Sequence, residues 1–244
     1  MVHRISGRSV QIERINRIKR EVYMSNSIAI DGPAGAGKST IAKLVAKQLG
    51  YIYVDTGAMY RAMALYLIRK GIDREDTAGI EKACEDADIS ISYTDGQQVV
   101  LLGDENVNAF LRTEEVGNMA SISSTNHKVR QKLVALQQKL ASEKDVVMDG
   151  RDIGTVVLPD SRCKVFLTAS SAVRARRRFE ELAEKGMAGD LRQIEADIIE
   201  RDRRDMTREN SPLKQADDAV MIDSSDMSIE EVRDAILELA KRKL

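Results

Sequence analysis

An α/β fold with a doubly wound, parallel five-stranded sheet is predicted by three features of this 244-residue chain. Short apolar runs alternate with stretches of helical periodicity, the pattern of strands joined by crossover helices. The apolar run Ser27-Ile28-Ala29-Ile30 breaks into a glycine-rich turn ending in Gly37-Lys38-Ser39, and a helical stripe starts at once. Two segments interrupt the rhythm, a polar alternating hairpin and a pair of charged helices, and both read as additions to the sheet.

Taken in order, the first strand leads into Gly32-Pro33-Ala34-Gly35-Ala36-Gly37-Lys38-Ser39-Thr40. This is the G-x-x-x-x-G-K-[ST] phosphate-binding loop, so the expected architecture is of the P-loop NTPase type. Gly32, Gly35 and Gly37 permit dihedrals and backbone approaches that a Cβ would block, and successive N–H groups can then curl around a β-phosphate. Lys38 brings a point charge to the β and γ oxygens, and the helix that begins there aims its positive end at them. The loop therefore predicts a nucleoside triphosphate ligand, ATP in the simplest reading.

Ile41, Leu44, Val45 and Leu49 stripe the next helix, which Gly50 ends. A strand over Tyr51 to Val54 stops at Asp55-Thr56-Gly57, and Met59, Ala62, Met63 and Tyr66 mark another helix. Val129, Leu133, Leu136 and Leu140 stripe a later one, before a strand over Asp145 to Met148 and the sequence Asp149-Gly150-Arg151-Asp152. Lys164 to Thr168 and Ala219 to Ile222 read as buried strands, and Ile229, Val232, Ile236 and Leu239 as the last helix. Ile89 to Leu102 alternates around Thr94-Asp95-Gly96, a hairpin signal too polar for the central sheet.

These elements divide the chain into a core of residues 24–56, 132–168 and 209–244, an inserted substrate-side domain at 57–131 with a small antiparallel sheet, and a helical lid at 169–208. Residues 1–23 stand apart. They hold six Lys/Arg against two Glu, with Ile12, Ile15, Ile18 and Val22 at helical spacing. A basic amphipathic arm, a targeting segment and an extension upstream of a start at Met24 all fit; a poorly packed extension without catalytic role is the expectation.

Composition narrows the chemistry. A formal net charge of −1 with 32% charged residues supplies no global basic field for nucleic acid. Nothing approaches an 18-residue apolar run, so no membrane span is expected. Cys84 and Cys163 lack metal spacing and read as reduced thiols of a cytoplasmic protein. With only His3 and His127, a metalloenzyme or Ser-His-Asp hydrolase has little to work with.

Phosphoryl transfer instead asks for charge and alignment, and the arginines fit that demand. Arg174, Arg177 and Arg178 share one helical face; Arg201, Asp205 and Arg208 share another, with Arg204 beside them. The segment Arg174 to Arg208 balances ten Lys/Arg with nine Asp/Glu, so a solvated helical pair is the plain alternative to ligand binding. The Gly186-Met187-Ala188-Gly189 break suits a flap that closes over ATP and excludes water, or a simple connecting turn. Asp149 follows Val146-Val147-Met148, where a carboxylate can orient Mg²⁺, directly or through water; Asp31 also ends a strand and reads as structural.

Taken together, Ser27 to Thr40, Asp55-Thr56-Gly57-Ala58-Met59-Tyr60-Arg61, Asp149-Gly150-Arg151-Asp152-Ile153-Gly154-Thr155 and Arg201 through Arg208 resemble the bacterial cytidylate (CMP) kinases, a nucleoside monophosphate kinase family. The likeness runs from about Ser25 to Leu244 and includes the insertion, which it makes a nucleoside monophosphate-binding domain. It implies transfer of phosphate from ATP to CMP or dCMP with Mg²⁺ as cofactor, by a cytoplasmic monomer. It implies that Arg61, Arg151 and Arg208 hold the acceptor phosphate, and that Arg201 and Asp205 reach phosphate or ribose. Ser121, Arg130 and Asp152 are implied as cytosine readers, with Thr56 near the acceptor. Lys38, Arg151, Arg201 and Arg208 would neutralise charge during transfer, and Arg174, Arg177 and Arg178 would serve ATP. Relatives often read Gly-Lys-Gly-Thr where this chain has Gly37-Lys38-Ser39-Thr40, so either Ser39 or Thr40 can meet Mg²⁺. UMP, AMP or shikimate as acceptor, a GTPase-type switch and an arginine-rich nucleic-acid binder are the competing readings; no N-K-x-D guanine motif is present.

Overall fold

A computed structural model describes residues 25–94, 96–184 and 186–244; the expectation for residues 1–23 lies outside them. β1 (Ser27–Asp31) leads through the glycine-rich loop into α1 (Lys38–Leu49). β2 (Ile52–Asp55) and α2 (Thr56–Arg69) follow, then α3 (Thr77–Glu85), the hairpin β3 (Ile89–Thr94) and β4 (Gln97–Leu102), and the two-residue β5 (Glu105–Asn106). Next come α4 (Glu114–Ser123), α5 (His127–Glu143), β6 (Val146–Gly150), a π-helical turn over Ile153–Val157 and β7 (Cys163–Thr168). α6 (Ser171–Glu184), α7 (Leu191–Thr207), β8 (Val220–Asp223) and α8 (Ile229–Lys243) complete the order.

The main sheet runs β2-β6-β1-β7-β8, parallel at every junction, as expected from the alternation of strands and helices. β1 and β6 sit inside it and are buried on both faces, which is why Ile28 to Ile30 and Val146 to Met148 are continuous apolar runs. Ile28, Ile30, Val147, Val165 and Leu167 pack under α1 and α8, through Ile41, Val45, Val232 and Ile236. Ala29, Val54, Val146 and Met148 form the other face and pack beneath α2 and α5.

That second cluster does not stop at the sheet. It continues without a break through Met59, Met63 and Leu67 into Ile80, Ile89, Val100, Leu111 and Val116. The insertion predicted from 57 therefore shares its core with the sheet. Its own antiparallel sheet, β3-β4-β5, confirms the hairpin and adds a short third strand.

Caps explain where the helices begin. Asp55 accepts from the Ala58 N–H and opens α2, Asn126 opens α5, and Ser228 and Glu231 form a reciprocal capping box on α8. The expected break between the two charged helices is real: α6 ends at Glu184 and α7 starts at Leu191 with Asp190 as its cap. Asp149 lies within β6 rather than after it, because the strand pairs with β1 as far as Gly150.

Candidate active site

The carboxyl ends of β1, β2 and β6 bring acidic side chains into one row: Asp55 is level with Asp149, and Asp31 with Gly150. In an open parallel sheet this is the edge at which ligands bind. The loop after β1 sits above it. Gly32, Gly35 and Gly37 adopt φ of 150°, 74° and 85°. A Cβ on Gly32 would lie 1.9 Å from the Leu167 carbonyl oxygen, so β7 demands a glycine there; Gly37 is the left-handed N-cap of α1.

Lys38 is buried and donates to the Pro33 carbonyl at 2.7 Å, bridging its own loop. Burial first, and then the charge of Arg151, pull its pKa well below the usual lysine value. An anionic phosphate in the loop would relieve both effects. Beside it, Asp149 accepts from the Ser39 hydroxyl at 2.8 Å and the Tyr53 hydroxyl at 2.8 Å. Burial, followed by the nearby Asp55 charge, raises the Asp149 pKa. Thr40 is exposed, so of the two hydroxyls it is Ser39 that meets the carboxylate. A carboxylate and a hydroxyl in contact are hard oxygen donors of the kind a phosphate-bound Mg²⁺ takes from a protein, so the residues fit that ion.

A group of arginines beside this row comes from three elements. Arg61 on α2 rests on Asp55 at 3.3 and 3.4 Å, and its Nε is buried with no hydrogen-bond partner among the described residues. Arg151 follows β6 and donates through Nε to Asp205 of α7 at 2.8 Å. Arg201 stands one turn before Asp205, close enough to Arg151 and Arg61 that burial and their like charge lower its pKa. Thr56 is buried and its hydroxyl donates to the Asp149 carbonyl at 2.7 Å, tying the start of α2 to the end of β6.

Deeper in, Asp152 lies between two guanidinium groups. It pairs closely with Arg130 and lies 3.9 Å from Arg208, with all three side chains under 10% exposed. Arg130 also donates to the Ser211 hydroxyl and the Ser124 carbonyl, and it lies 5.6 Å from the centre of the Tyr60 ring. Arg208 donates to the Ser211 carbonyl at 2.7 Å. Burial raises the Asp152 pKa in spite of both arginines. Ser121 is half-buried on α4, one turn before the Ser124 carbonyl that Arg130 contacts.

The arginines of α6 do not present one cationic face, which corrects the expectation drawn from their spacing. Arg174 is buried and bonded to the Ala169 and Ala34 carbonyls and to Asp202, whose carboxylate also accepts from the Ala34 N–H. It thus clamps the phosphate loop from beneath. Arg177 donates to the Ser224 carbonyl and hydroxyl, and Arg178 is exposed beside Glu181. Asp31 is structural as read: its carboxylate accepts the N–H groups of Ile153 and Gly154 at 2.7 Å each. Reading the sequence missed Tyr53, Tyr60, Asp202 and Ser211. Asp55 was missed as well, though it carried a local signal, an Asp before Thr-Gly at a helix start.

The family model described as cytidylate kinase matches residues 28–242. The chain belongs to the cytidylate kinase family. A cytidylate kinase of Caldicellulosiruptor bescii is 52% identical over 213 residues, 87% of this chain and 94% of its own length. One from Listeria welshimeri is 49% identical over 217 residues, 89% and 96% of the two chains. Among solved structures, a gluconokinase from Sinorhizobium meliloti 1021 is similar over 90% of this chain and 93% of its own, at 17% identity and a TM-score of 0.45. Cytidylate kinase membership spans all the elements that build this site, from the end of β1 to Arg208.

Proposed function

We propose that this chain transfers the γ-phosphate of ATP to CMP or dCMP, giving ADP and CDP or dCDP. One observation carries the reading. Lys38 of the phosphate loop is near enough to Arg151 and Arg201 to feel their charge, Arg151 is bonded to Asp205, and the next residue, Asp152, begins the buried group it forms with Arg130 and Arg208. A triphosphate tail and an acceptor phosphate thus face each other across one set of cations.

The chemistry follows from that layout. An oxygen of the acceptor phosphate attacks the γ-phosphorus, and the bond to the β–γ bridging oxygen breaks, releasing ADP. The attacking oxygen is already anionic at neutral pH, so no general base is required. Arg61, Arg151 and Arg208 hold the acceptor phosphate, with Arg201 and Asp205 at phosphate or ribose. Lys38, Arg151 and Arg201 stabilise negative charge on the group in flight. Asp149 and Ser39 would hold Mg²⁺, which when bound would supply neutralising charge to the triphosphate. Arg177 and Arg178 close the ATP side, while Arg174 supports the loop.

Base choice rests on Asp152. Its carboxylate accepts from the cytosine N4 amine, while Arg130 and Ser121 donate to N3 and O2. Uracil turns an O4 acceptor toward the carboxylate and leaves buried groups unpaired. The enzyme acts as a cytoplasmic monomer on free nucleotides, without nucleic acid or membrane. The free, buried Cys84 and Cys163 suit a reducing compartment, and no helix among the described residues is long and apolar enough to cross a membrane.

ADP release measured across CMP, dCMP, UMP, AMP and GMP tests the reading. The highest kcat/KM is expected for CMP and dCMP, and Asp152→Ala is expected to reduce the CMP/UMP ratio by roughly tenfold or more. A purine preferred by the wild type, or no ADP with any acceptor, would overturn it.

A further inference from the structure

β2 is an edge strand among the described residues: β6 lies on one side of it and none of their strands on the other. In a parallel pair, alternate residues point both backbone groups at the neighbour. Ile52 does so, its N–H donating to the Asp145 carbonyl at 2.9 Å. Tyr53 and Asp55 therefore turn their backbone groups outward.

Side chains of the insertion meet those groups. The Tyr93 hydroxyl donates to the Tyr53 carbonyl at 3.2 Å. The Gln98 amide takes Asp55 at both ends, accepting its N–H at 2.7 Å and donating to its carbonyl at 3.2 Å. Tyr93 and Gln98 stand directly opposite each other in the β3–β4 register. One cross-strand pair thus finishes an edge that has no strand to finish it.

The two residues held in this way are the ones whose side chains organise the site. Tyr53 donates its hydroxyl to Asp149. Asp55 caps α2 and carries Arg61. Gly57 lies close against the pair: a Cβ there would be 3.1 Å from Arg61 Nη1 and 3.2 Å from Asp55 Oδ1.

We infer that Gln98 and Tyr93 are positioning residues for phosphoryl transfer. Gln98 sets Arg61 against the acceptor phosphate through Asp55, and Tyr93 sets Asp149 through Tyr53. The insertion then contributes to substrate binding from a distance, because a cation held out of register with the acceptor phosphate binds it less tightly. This inference rests on Arg61 being the acceptor-phosphate cation of the proposed function.

The test is steady-state kinetics on Gln98→Met, Gln98→Ala and Tyr93→Phe, with thermal melts to establish that each is folded. Gln98→Met keeps the bulk and removes only the hydrogen bonds, so it remains informative if the alanine variant does not fold. Loss of the paired bonds is expected to raise KM for CMP about tenfold in Gln98→Met, with KM for ATP changed less than about twofold. In Tyr93→Phe, the Mg²⁺ concentration giving half-maximal rate is expected to rise roughly threefold. Unchanged KM for CMP in the Gln98 variants, or a fall in kcat with neither KM moved, would overturn the inference, the latter being what mere loss of folded protein produces. Absence of ADP formation by the wild type would instead remove the kinase reading itself.

Discussion

Gly32 and Gly37 offer a paired perturbation that separates two costs usually confounded in a glycine-rich loop. Both have positive φ, 150° and 85°, yet their surroundings differ. A Cβ at Gly32 meets the Leu167 carbonyl oxygen at 1.9 Å, whereas one at Gly37 meets nothing within 4 Å. Gly37→Ala therefore carries dihedral strain alone, about 1–2 kcal/mol. Gly32→Ala carries comparable or larger strain, about 1–3 kcal/mol. It must also push β1 and β7 apart by more than an ångström, an overpacking cost of about 1–3 kcal/mol. The sum, about 2–6 kcal/mol, is a large part of the 5–15 kcal/mol that ordinarily stabilises a domain. Urea unfolding followed by circular dichroism, with both variants and the wild type side by side, reads the difference. Gly32→Ala is expected to unfold at clearly lower urea than Gly37→Ala. Equal midpoints, or the reverse order, would show that contact with β7 is not what fixes a glycine at position 32.

Two further expectations concern single side chains. Ser39→Ala should raise the Mg²⁺ requirement of the reaction by roughly tenfold and Thr40→Ala by less than twofold, because only Ser39 contacts Asp149; equal effects in a Mg²⁺ titration would refute that division. Asp31 should titrate near pH 6, since burial, partly offset by the Gly154 and Ile153 N–H groups, lifts it from 3.8 to about 6. The folded state then binds this proton more tightly than the unfolded chain does. The cost of burying the carboxylate is fully present above pH 6 and is relieved as the pH falls from there toward 3.8, by about 3 kcal/mol at most. A carboxyl ¹³C titration with its midpoint near 4 would count against it.

The strands and the phosphate loop were legible because each is specified locally. A run such as Val146-Val147-Met148 has few ways to be buried other than as an inner strand, and Gly-Lys-Ser after such a run has a defined geometry. The observed limits of β2, β6, β7 and β8 differ from the sequence reading by one or two residues, and β8, read as buried, is largely exposed, with Val220 at 41% and Met221 at 57%, because it stands at the end of the sheet beside β7. The π-helical turn at Ile153–Val157 was not legible, since an apolar Ile-Gly-Thr-Val-Val run carries no mark of it. What shapes it is the Asp31 carboxylate, more than a hundred residues away, holding the first two N–H groups. Arg174 failed for a related reason. Its spacing to Arg177 and Arg178 identifies a shared helix but not the neighbours, and its neighbours are Asp202 and the loop backbone. Tyr53 and Gln98 belong to the same class: their roles exist only once two sheets stand side by side.

The apolar cluster that runs from Ala29 and Met148 through α2 to Val100 and Val116 has a consequence for how this molecule can be altered. Excising the stretch between α2 and α5 would open to water the apolar flanks of the two helices that cover one face of the sheet, so the stretch cannot be treated as a detachable module or transplanted intact onto another scaffold. Engineering is left with its periphery, the hairpin tip at Gly96 and the turn at Gly103, where a Cβ would meet nothing within 4 Å, although the φ of 73° and 59° would still strain any residue that replaced the glycine.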